Sequence, residues 1–340
     1  MSRCACGVLA IAVAAACGKP NPPPAGAPEP ATPTAVARPA QAADAAGSAG
    51  SATEPAAEAF TPPAAHAITS PSCTQLPFAD STPVPEASGA GWLVEGGKPM
   101  LLVVGDSGNH GAYGLVDPET GQTTETGELP LSDEAGDDLE GIAVRGEKIY
   151  GLTSAGWVRS WRRHGKGFAL VDKPYPLGPV TLPRTRNNNR APEGDGMVCD
   201  AQVVNCGRNY EGLCLAAKPR SASCIGFAAS KADGHLYCLT EEAGKLVVHH
   251  DRAIAITRPG ALADCAFSDD DTLWVGANMF DLGRVSRVAH WDDPAAATLE
   301  PLGSLAIGFP EAIAVRGETV YRMSDTGGAP SMMARFHCPK

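Results

Sequence analysis

The chain has no long hydrophobic run. Its apolar stretch Val8 to Ala16 falls well short of the about 20 residues that a bilayer-spanning helix needs. No other segment of the 340 residues comes near that length, so no transmembrane helix is expected. Positive charge is also scarce. Lys and Arg number 27 against 38 Asp and Glu, a net charge of −11. That balance argues against nucleic acid as a partner. It is equally compatible with cation binding and with a solvated acidic surface. No Cys-x-x-Cys pair or Cys/His cluster has the spacing of a zinc site. There is no Gly-x-Ser-x-Gly elbow, no Walker loop and no dinucleotide fingerprint. Helical periodicity is absent at any useful length.

What is present begins with an address. Arg3 supplies a positive start, Val8 to Ala16 a short apolar core, and Ala14-Ala15-Ala16-Cys17-Gly18 a small-residue cleavage site. Residues 1–16 thus read as an export signal. The junction resembles a bacterial lipoprotein signal, in which Cys17 becomes the lipidated first residue. Ala14 stands where leucine is commonest in that pattern, and ordinary cleavage leaving Cys17 as a free thiol is the alternative. Residues 17–71 are dominated by Ala, Pro, Gly, Ser and Thr. They hold too few large apolar side chains to offset the entropy of ordering, and proline keeps them extended. They read as a tether, and residues 72–340 as one all-β domain.

Cysteine usage agrees with export. Of 11 cysteines, Cys4 and Cys6 leave with the signal and Cys17 takes the lipid. The other eight suggest disulfides, among roughly a hundred possible connectivities.

One phrase recurs through that domain. It reads Asp138-Leu139-Glu140-Gly141-Ile142-Ala143-Val144, then Asn209-Tyr210-Glu211-Gly212-Leu213-Cys214-Leu215. It returns as Leu262-Ala263-Asp264-Cys265-Ala266-Phe267 and as Phe309-Pro310-Glu311-Ala312-Ile313-Ala314-Val315. Each copy is followed by an aromatic-bearing strand: Lys148–Thr153, His235–Thr240, Thr272–Gly276 and Thr319–Ser324. An alternating strand comes next, at Gly156–Trp161, Gly244–Val248, Arg284–Val288 and Met332–Phe336. A diverged copy precedes them around Trp92, Leu101 and Tyr113. Short strands at regular spacing, with repeats of about 50 residues, predict the blades of a β-propeller. Five four-stranded blades are expected. The Pro-, Asn- and Arg-rich stretch His164 to Asn205 is read as an outer strand near Phe168–Lys173 plus an excursion, though it has room for a sixth blade.

The last repeat stops after three strands, so the segment beginning at Cys73 is expected to supply the fourth strand and close the ring. Cys73 is then expected to bond Cys338, and Cys199 to bond Cys206. Cys214 with Cys224, and Cys238 with Cys265, are paired without a geometric reason.

In a propeller the first strand of each blade lines the central channel and the second returns antiparallel to it. The start of strand one and the end of strand two therefore share a face. Glu140, Glu211, Asp264 and Glu311 should ring one channel mouth, joined by Asp106, Ser154, Glu241, Asn278 and Asp325. Converging carboxylates raise one another's pKa. A Ca²⁺ ion, which takes about six to eight oxygen ligands, removes that repulsion. The alternative is that the acids accept backbone hydrogen bonds and staple adjacent blades. The nearby run Asp133, Glu134, Asp137 and Asp138 reads as a solvated connector from which Asp137 or Asp138 can lend a ligand. Trp157 and Trp274 read as blade core, with Trp157 close enough to the channel face to stack on a sugar or ring.

The phrase Asp138-Leu139-Glu140-Gly141-Ile142-Ala143 resembles the propeller family described as having esterase-like activity of phytase, and the related SdiA-regulated propellers. It is similar, more remotely, to the gluconolactonase and regucalcin group. The resemblance implies a propeller with a divalent-metal site and hydrolysis, and from the lactonase comparison Glu140 as a ligand. Asn278 and Asp325 match that group only by residue type and strand position. Gly141 is not followed by the family's proline. Phosphate-ester chemistry needs a basic group: Arg208, just before Glu211, and His110 in the Gly105–Gly111 turn are the catalytic candidates. Two functions stay open. One is a metal-dependent hydrolase of an ester, lactone or phosphate ester. The other is a non-catalytic surface propeller that binds a protein or glycan. Either is a monomer in the cell envelope, held to a membrane by its N-terminal lipid.

Overall fold

The computed structural model describes residues 72–181, 198–219, 221, 223–278, 283–305 and 307–339. The export signal, Cys17, the tether over 17–71 and the Arg184–Gly196 loop lie outside the described residues. Among the described residues no helix is long and apolar enough to cross a membrane.

The domain is a five-bladed β-propeller of antiparallel sheets. Blade 1 runs from its inner strand, Ala87–Glu95, outward through Lys98–Gly105 and Ala112–Val116 to Thr123–Glu128. Blade 2 is Leu139–Arg145, Lys148–Thr153, Trp157–His164 and Gly167–Leu170. Blade 3 is Tyr210–Leu215, Gly226–Ser230, His235–Glu242 and Lys245–Ala255. Blade 4 is Leu262–Phe267, Leu273–Ala277, Arg284–Ala289 and Thr298–Ser304. Blade 5 is Phe309–Arg316, Thr319–Asp325 and Pro330–His337, completed by Thr74–Leu76. The excursion after Phe168 forms no sixth blade among the described residues; Tyr175–Pro176 adds only a short fifth strand to blade 2.

The ring closes as expected. Thr74, Gln75 and Leu76 pair with His337, Phe336 and Arg335, and the Cys73–Cys338 disulfide lies beside that seam. Cys199 bonds Cys206. The other two pairings correct the expectation. Cys214 bonds Cys265, and Cys224 bonds Cys238. Inner strands of neighbouring blades lie side by side. Cys214 and Cys265 occupy such strands in blades 3 and 4, while Cys224 just precedes the second strand of blade 3 and Cys238 lies within its third. Four disulfides fit an oxidising, extracellular or periplasmic setting. A second correction concerns blade 3. Its second strand is Gly226–Ser230, and His235–Glu242 is its third. Buried on both faces, Gly226–Ser230 carries no polar alternation to mark it.

Strand alternation builds the interior. In blade 4, Leu273 and Val275 pack against blade 3 with Cys214, Phe227 and Trp291. Trp274 faces the other way, into a cluster with Ile313, Val315, Val320 and Phe336 of blade 5. In blade 5, Tyr321 and Met323 face Leu101 and Val103 of blade 1.

The innermost strands nearly touch, which explains the glycine in the recurring phrase. A Cβ at Gly89 would lie 3.0 Å from Glu140 O and Ile142 N. One at Gly141 would collide with the backbone of Gly212 and Leu213. Backbone cannot yield as a flexible side chain can. Gly141→Ala is expected to lower stability by about 1–3 kcal/mol, the usual cost of overpacking, read as a fall in unfolding temperature. The same substitution at Gly96, where nothing lies within 4 Å, tests positive φ alone.

Candidate functional site

Pairing register defines the channel mouth residue by residue. At the entry of every inner strand one residue bulges out of register with strand two. These residues are Ser88, Glu140, Glu211, Ala263 and Glu311, one from each blade. A bulge turns its side chain out of the pleat. One place beyond the strand-two partner of the residue before each bulge stand Asp106, Ser154, Lys231, Asn278 and Asp325. These two sets make the mouth.

Two expected members do not join it. Asp264 stands one place after the bulge, at the position of Gly89, Gly141, Gly212 and Ala312. It accepts hydrogen bonds from its neighbour Cys265 N at 2.6 Å and from Ile313 N of blade 5 at 3.0 Å. It staples two blades. Glu241 ends the third strand of blade 3, at the other face, where its carboxylate meets Arg145 at 2.8 Å. Lys231 takes the place once given to Glu241. It was missed because the second strand of blade 3 was misplaced; the apolar run before Ser230-Lys231 was the available signal.

The mouth divides into three sectors. In the first, carboxylate oxygens of Asp106, Asp138 and Glu140 all lie within 4.8 Å of one another. Asp138 is buried, not a solvated connector residue. It accepts hydrogen bonds from Ser154 N at 3.1 Å and from the Ser154 hydroxyl. Ser154 Oγ in turn accepts from Asn205 N at 2.8 Å, in the loop closed by Cys199–Cys206. Burial raises Asp138 above the usual carboxylate range. Burial, with Asp138 nearby, pushes Asp106 up to about 6. Burial holds Glu140 far above that range, with the Glu211, Asp106, Asp138 and Glu311 charges adding to it.

In the second sector Lys231 Nζ lies 2.9 Å from Glu211 and 3.6 Å from Glu311. Asn209 Nδ2 donates to Glu211 at 2.8 Å. Burial still pushes Glu211 up to about 8 and Glu311 up to about 7 against the pull of Lys231. For Lys231, burial is outweighed by the two carboxylates, and its ammonium stays charged.

The third sector is neutral on blade 4. Ala263 replaces the bulge acid and Asn278 stands at the strand-two position. Asn278 is 6% exposed, and neither atom of its amide has a hydrogen-bond partner among the described residues. Asp325, beside it in blade 5, accepts from Gly327 N at 2.7 Å.

The two catalytic candidates lie outside these sectors. Arg208 pairs with Asp233 and stacks on Tyr237, its guanidinium carbon 4.8 Å from the ring centre. His110 has a side chain 80% exposed, with Nδ1 3.2 Å from Asp137. Trp157 donates to Cys199 O at 2.9 Å and packs against the core of blades 2 and 3. At the opposite end the channel opens into an apolar cavity of about 380 Å³ lined by Trp92, Val144, Leu215, Phe267 and Val315. The titratable cluster is not there, so shape and chemistry occupy opposite ends of one channel.

Among solved structures the chain is similar to the PQQ-bound aldose sugar dehydrogenase of Streptomyces coelicolor. That match has 15% identity and a TM-score of 0.45, over 79% of this chain and 99% of that one. It is similar also to the glutaminyl cyclase of Myxococcus xanthus, at 13% identity and a TM-score of 0.46, over 79% of this chain and 97% of that one. These likenesses concern architecture and carry nothing about activity. The sequence matches no protein-family model and no characterised protein.

Proposed function

We propose that this is an exported, lipid-anchored propeller whose channel mouth binds a divalent cation, Ca²⁺ above others, between Asp106, Asp138 and Glu140. The observation that carries the reading is the arrangement of those three carboxylates. Their charge is offset only in part, by the buried Arg159 guanidinium that faces Asp138, while Lys231 is committed to Glu211 and Glu311. The donor set is all oxygen, which suits a hard cation. Bound there, such an ion supplies a Lewis acid that polarises a carbonyl or phosphoryl oxygen. The activity proposed is hydrolysis of an ester or lactone, in keeping with the resemblance to the esterase-like-activity-of-phytase and SdiA-regulated propellers. A phosphate ester is the less supported substrate, because Arg208 is already paired. His110, exposed and steered by Asp137, is proposed as the general acid or base.

The second reading, a surface propeller that binds a protein or glycan, draws on Asp264 and Lys231, whose bonds are structural. Calorimetric titration of Ca²⁺ into the chelator-stripped protein separates the two. The expected result is micromolar or tighter binding with proton release, weakened by about 100-fold or more in an Asp106→Asn, Glu140→Gln variant. No heat of binding to a folded wild-type protein overturns the cation reading and leaves the second.

A further inference from the structure

Asp138 is held in place by a short relay. Ser154 donates to its Oδ2 twice, from the backbone N–H at 3.1 Å and from the hydroxyl. A serine hydroxyl has one proton to give, and what its oxygen accepts helps to decide where that proton points. Ser154 Oγ accepts from Asn205 N at 2.8 Å, which leaves the proton to Asp138. Asn205 precedes Cys206, in the loop that the Cys199–Cys206 disulfide closes across a separation of 7 residues. Its φ is 51°, a left-handed conformation uncommon outside glycine, and the closed loop helps to fix it.

The two ends of this loop are fastened differently. Cys199 donates its N–H to Ala155 O and accepts at its carbonyl from Trp157 Nε1, both at 2.9 Å. The other end has the Asn205 bond to Ser154 Oγ and a bond within its own chain, from Asn209 N to Cys206 O at 2.9 Å. The Ser154 backbone is tied separately, its carbonyl accepting from Tyr210 N at 3.0 Å. Opening the disulfide therefore leaves the Cys199 end on blade 2 and frees the end that orients the Ser154 hydroxyl. Access singles out the same bond. Cys206 is partly exposed, whereas the cysteines of the other three bridges are all 7% exposed or less. Exposed disulfides are the labile ones, from which regulatory bonds are drawn.

We propose that the Cys199–Cys206 disulfide is a thiol-operated control on the mouth, acting through Asn205 and Ser154 on the placement of Asp138. It rests on the cation reading for what Asp138 then holds. The step is exchange with a dithiol reductant. One thiolate attacks Cys206 Sγ, the bond to Cys199 breaks, and Cys199 leaves as a thiolate that takes up a proton. The second thiol displaces Cys206 in the same way. The chain gains both electrons and both protons of the dithiol, which ends as a disulfide. Asp138 then keeps the Ser154 N–H bond and loses the oriented hydroxyl.

The test uses the mature chain under native conditions. Graded dithiothreitol, followed by alkylation and peptide mass spectrometry, shows which cysteines open first. Cys199 and Cys206 are expected to do so. Calorimetric Ca²⁺ titration of the oxidised and loop-reduced forms is expected to show affinity about tenfold weaker after reduction, the loss of one hydrogen bond to a charged ligand. Ser154→Ala is expected to be weak in both forms and insensitive to reduction, a result that loosening of the loop alone does not produce. Equal affinity in the two wild-type forms overturns the proposal, as does earlier opening of another bridge. The wild-type forms decide this even if the variant fails to fold. If Ca²⁺ binds neither form, the cation reading falls, and the Ser154 amide signal in nitrogen–proton NMR decides the control of Asp138. A shift on reduction upholds it and an unmoved signal overturns it.

Discussion

Replacing Cys73 and Cys338 with serine is expected to lower the stability of the propeller by about 5 kcal/mol, near 10–20 °C in unfolding temperature. The bridge spans a separation of 265 residues, almost the whole domain. Cross-linking two ends of a chain removes loop-closure entropy from the unfolded state, and the effect grows with the logarithm of the loop. Beside the bridge Thr74 to Leu76 pair with the end of the last strand of blade 5, and Ser81, Thr82 and Pro85 pair with its beginning. That short, interrupted ladder resists fraying less well once the clasp is gone. The control is Cys199→Ser, Cys206→Ser, which opens a separation of 7 residues. On the same entropic account it costs about half as much, near 2.5 kcal/mol. Denaturant melts of the two variants decide the matter. A ring-closing pair that costs no more than the short one means that packing between blades 5 and 1, not the clasp, holds the circle.

The ring was legible because a propeller repeats itself. Glu140-Gly141, Glu211-Gly212 and Glu311-Ala312 mark inner strands by a residue pattern that the fold requires. The carboxylate sits on a bulge and the small residue sits where neighbouring inner strands nearly meet. A final repeat one strand short announced the closure at Cys73. Disulfide partners within blades 3 and 4 were not legible, because the sequence shows separation along the chain and the pairing depends on which strands lie abreast. Gly226–Ser230 hid for a related reason: a strand covered on both faces need not alternate.

The site was legible as a class of residue and less so as a list. Asp264 looks like a fourth copy of Glu140, yet the bulge falls on Ala263. A one-residue offset in a strand moves a side chain to the other face. It carries Asp264 out of the mouth and into a staple on Ile313. Lys231 could not be placed until its strand was. Asp138 reads as one more acid in a hydrophilic run, and only burial beside Ser154 and Glu140 sets it apart from Asp133 and Glu134.

Raising the pH from 5 to 8 in the presence of chelator is expected to destabilise the protein, the reverse of ordinary acid lability. Burial raises Asp106 to about 6, Glu311 to about 7 and Glu211 to about 8, with Glu140, Asp138 and Asp264 also raised. Each binds its proton more tightly in the folded chain than in the unfolded one. Between roughly pH 4 and 8 the folded state therefore holds more protons, and stability falls as those protons leave. Asp117, Glu125, Asp172 and Asp233 are shifted downward, and what they contribute is lost only on acidification below the ordinary carboxylate range. They do not cancel the slope in this window. A buried carboxyl such as Glu311 contributes about 3 kcal/mol to the difference, or about 6–12 °C in unfolding temperature. The neighbouring acids share one field, so their contributions do not add. A cation bound at Asp106, Asp138 and Glu140 supplies the charge that the protons supplied. Saturating Ca²⁺, at about 100 times its dissociation constant, is expected to restore about 2.7 kcal/mol at pH 8 and much less at pH 5, where protons compete. Asp106→Asn, Glu140→Gln removes both that rescue and part of the pH slope. Calorimetric melts at pH 5, 6.5 and 8, with chelator and with Ca²⁺, read all four corners. An unfolding temperature that stays level or rises toward pH 8 in chelator means that the mouth carboxyls ionise freely in the folded protein, and that neither protons nor a cation are needed to hold them together.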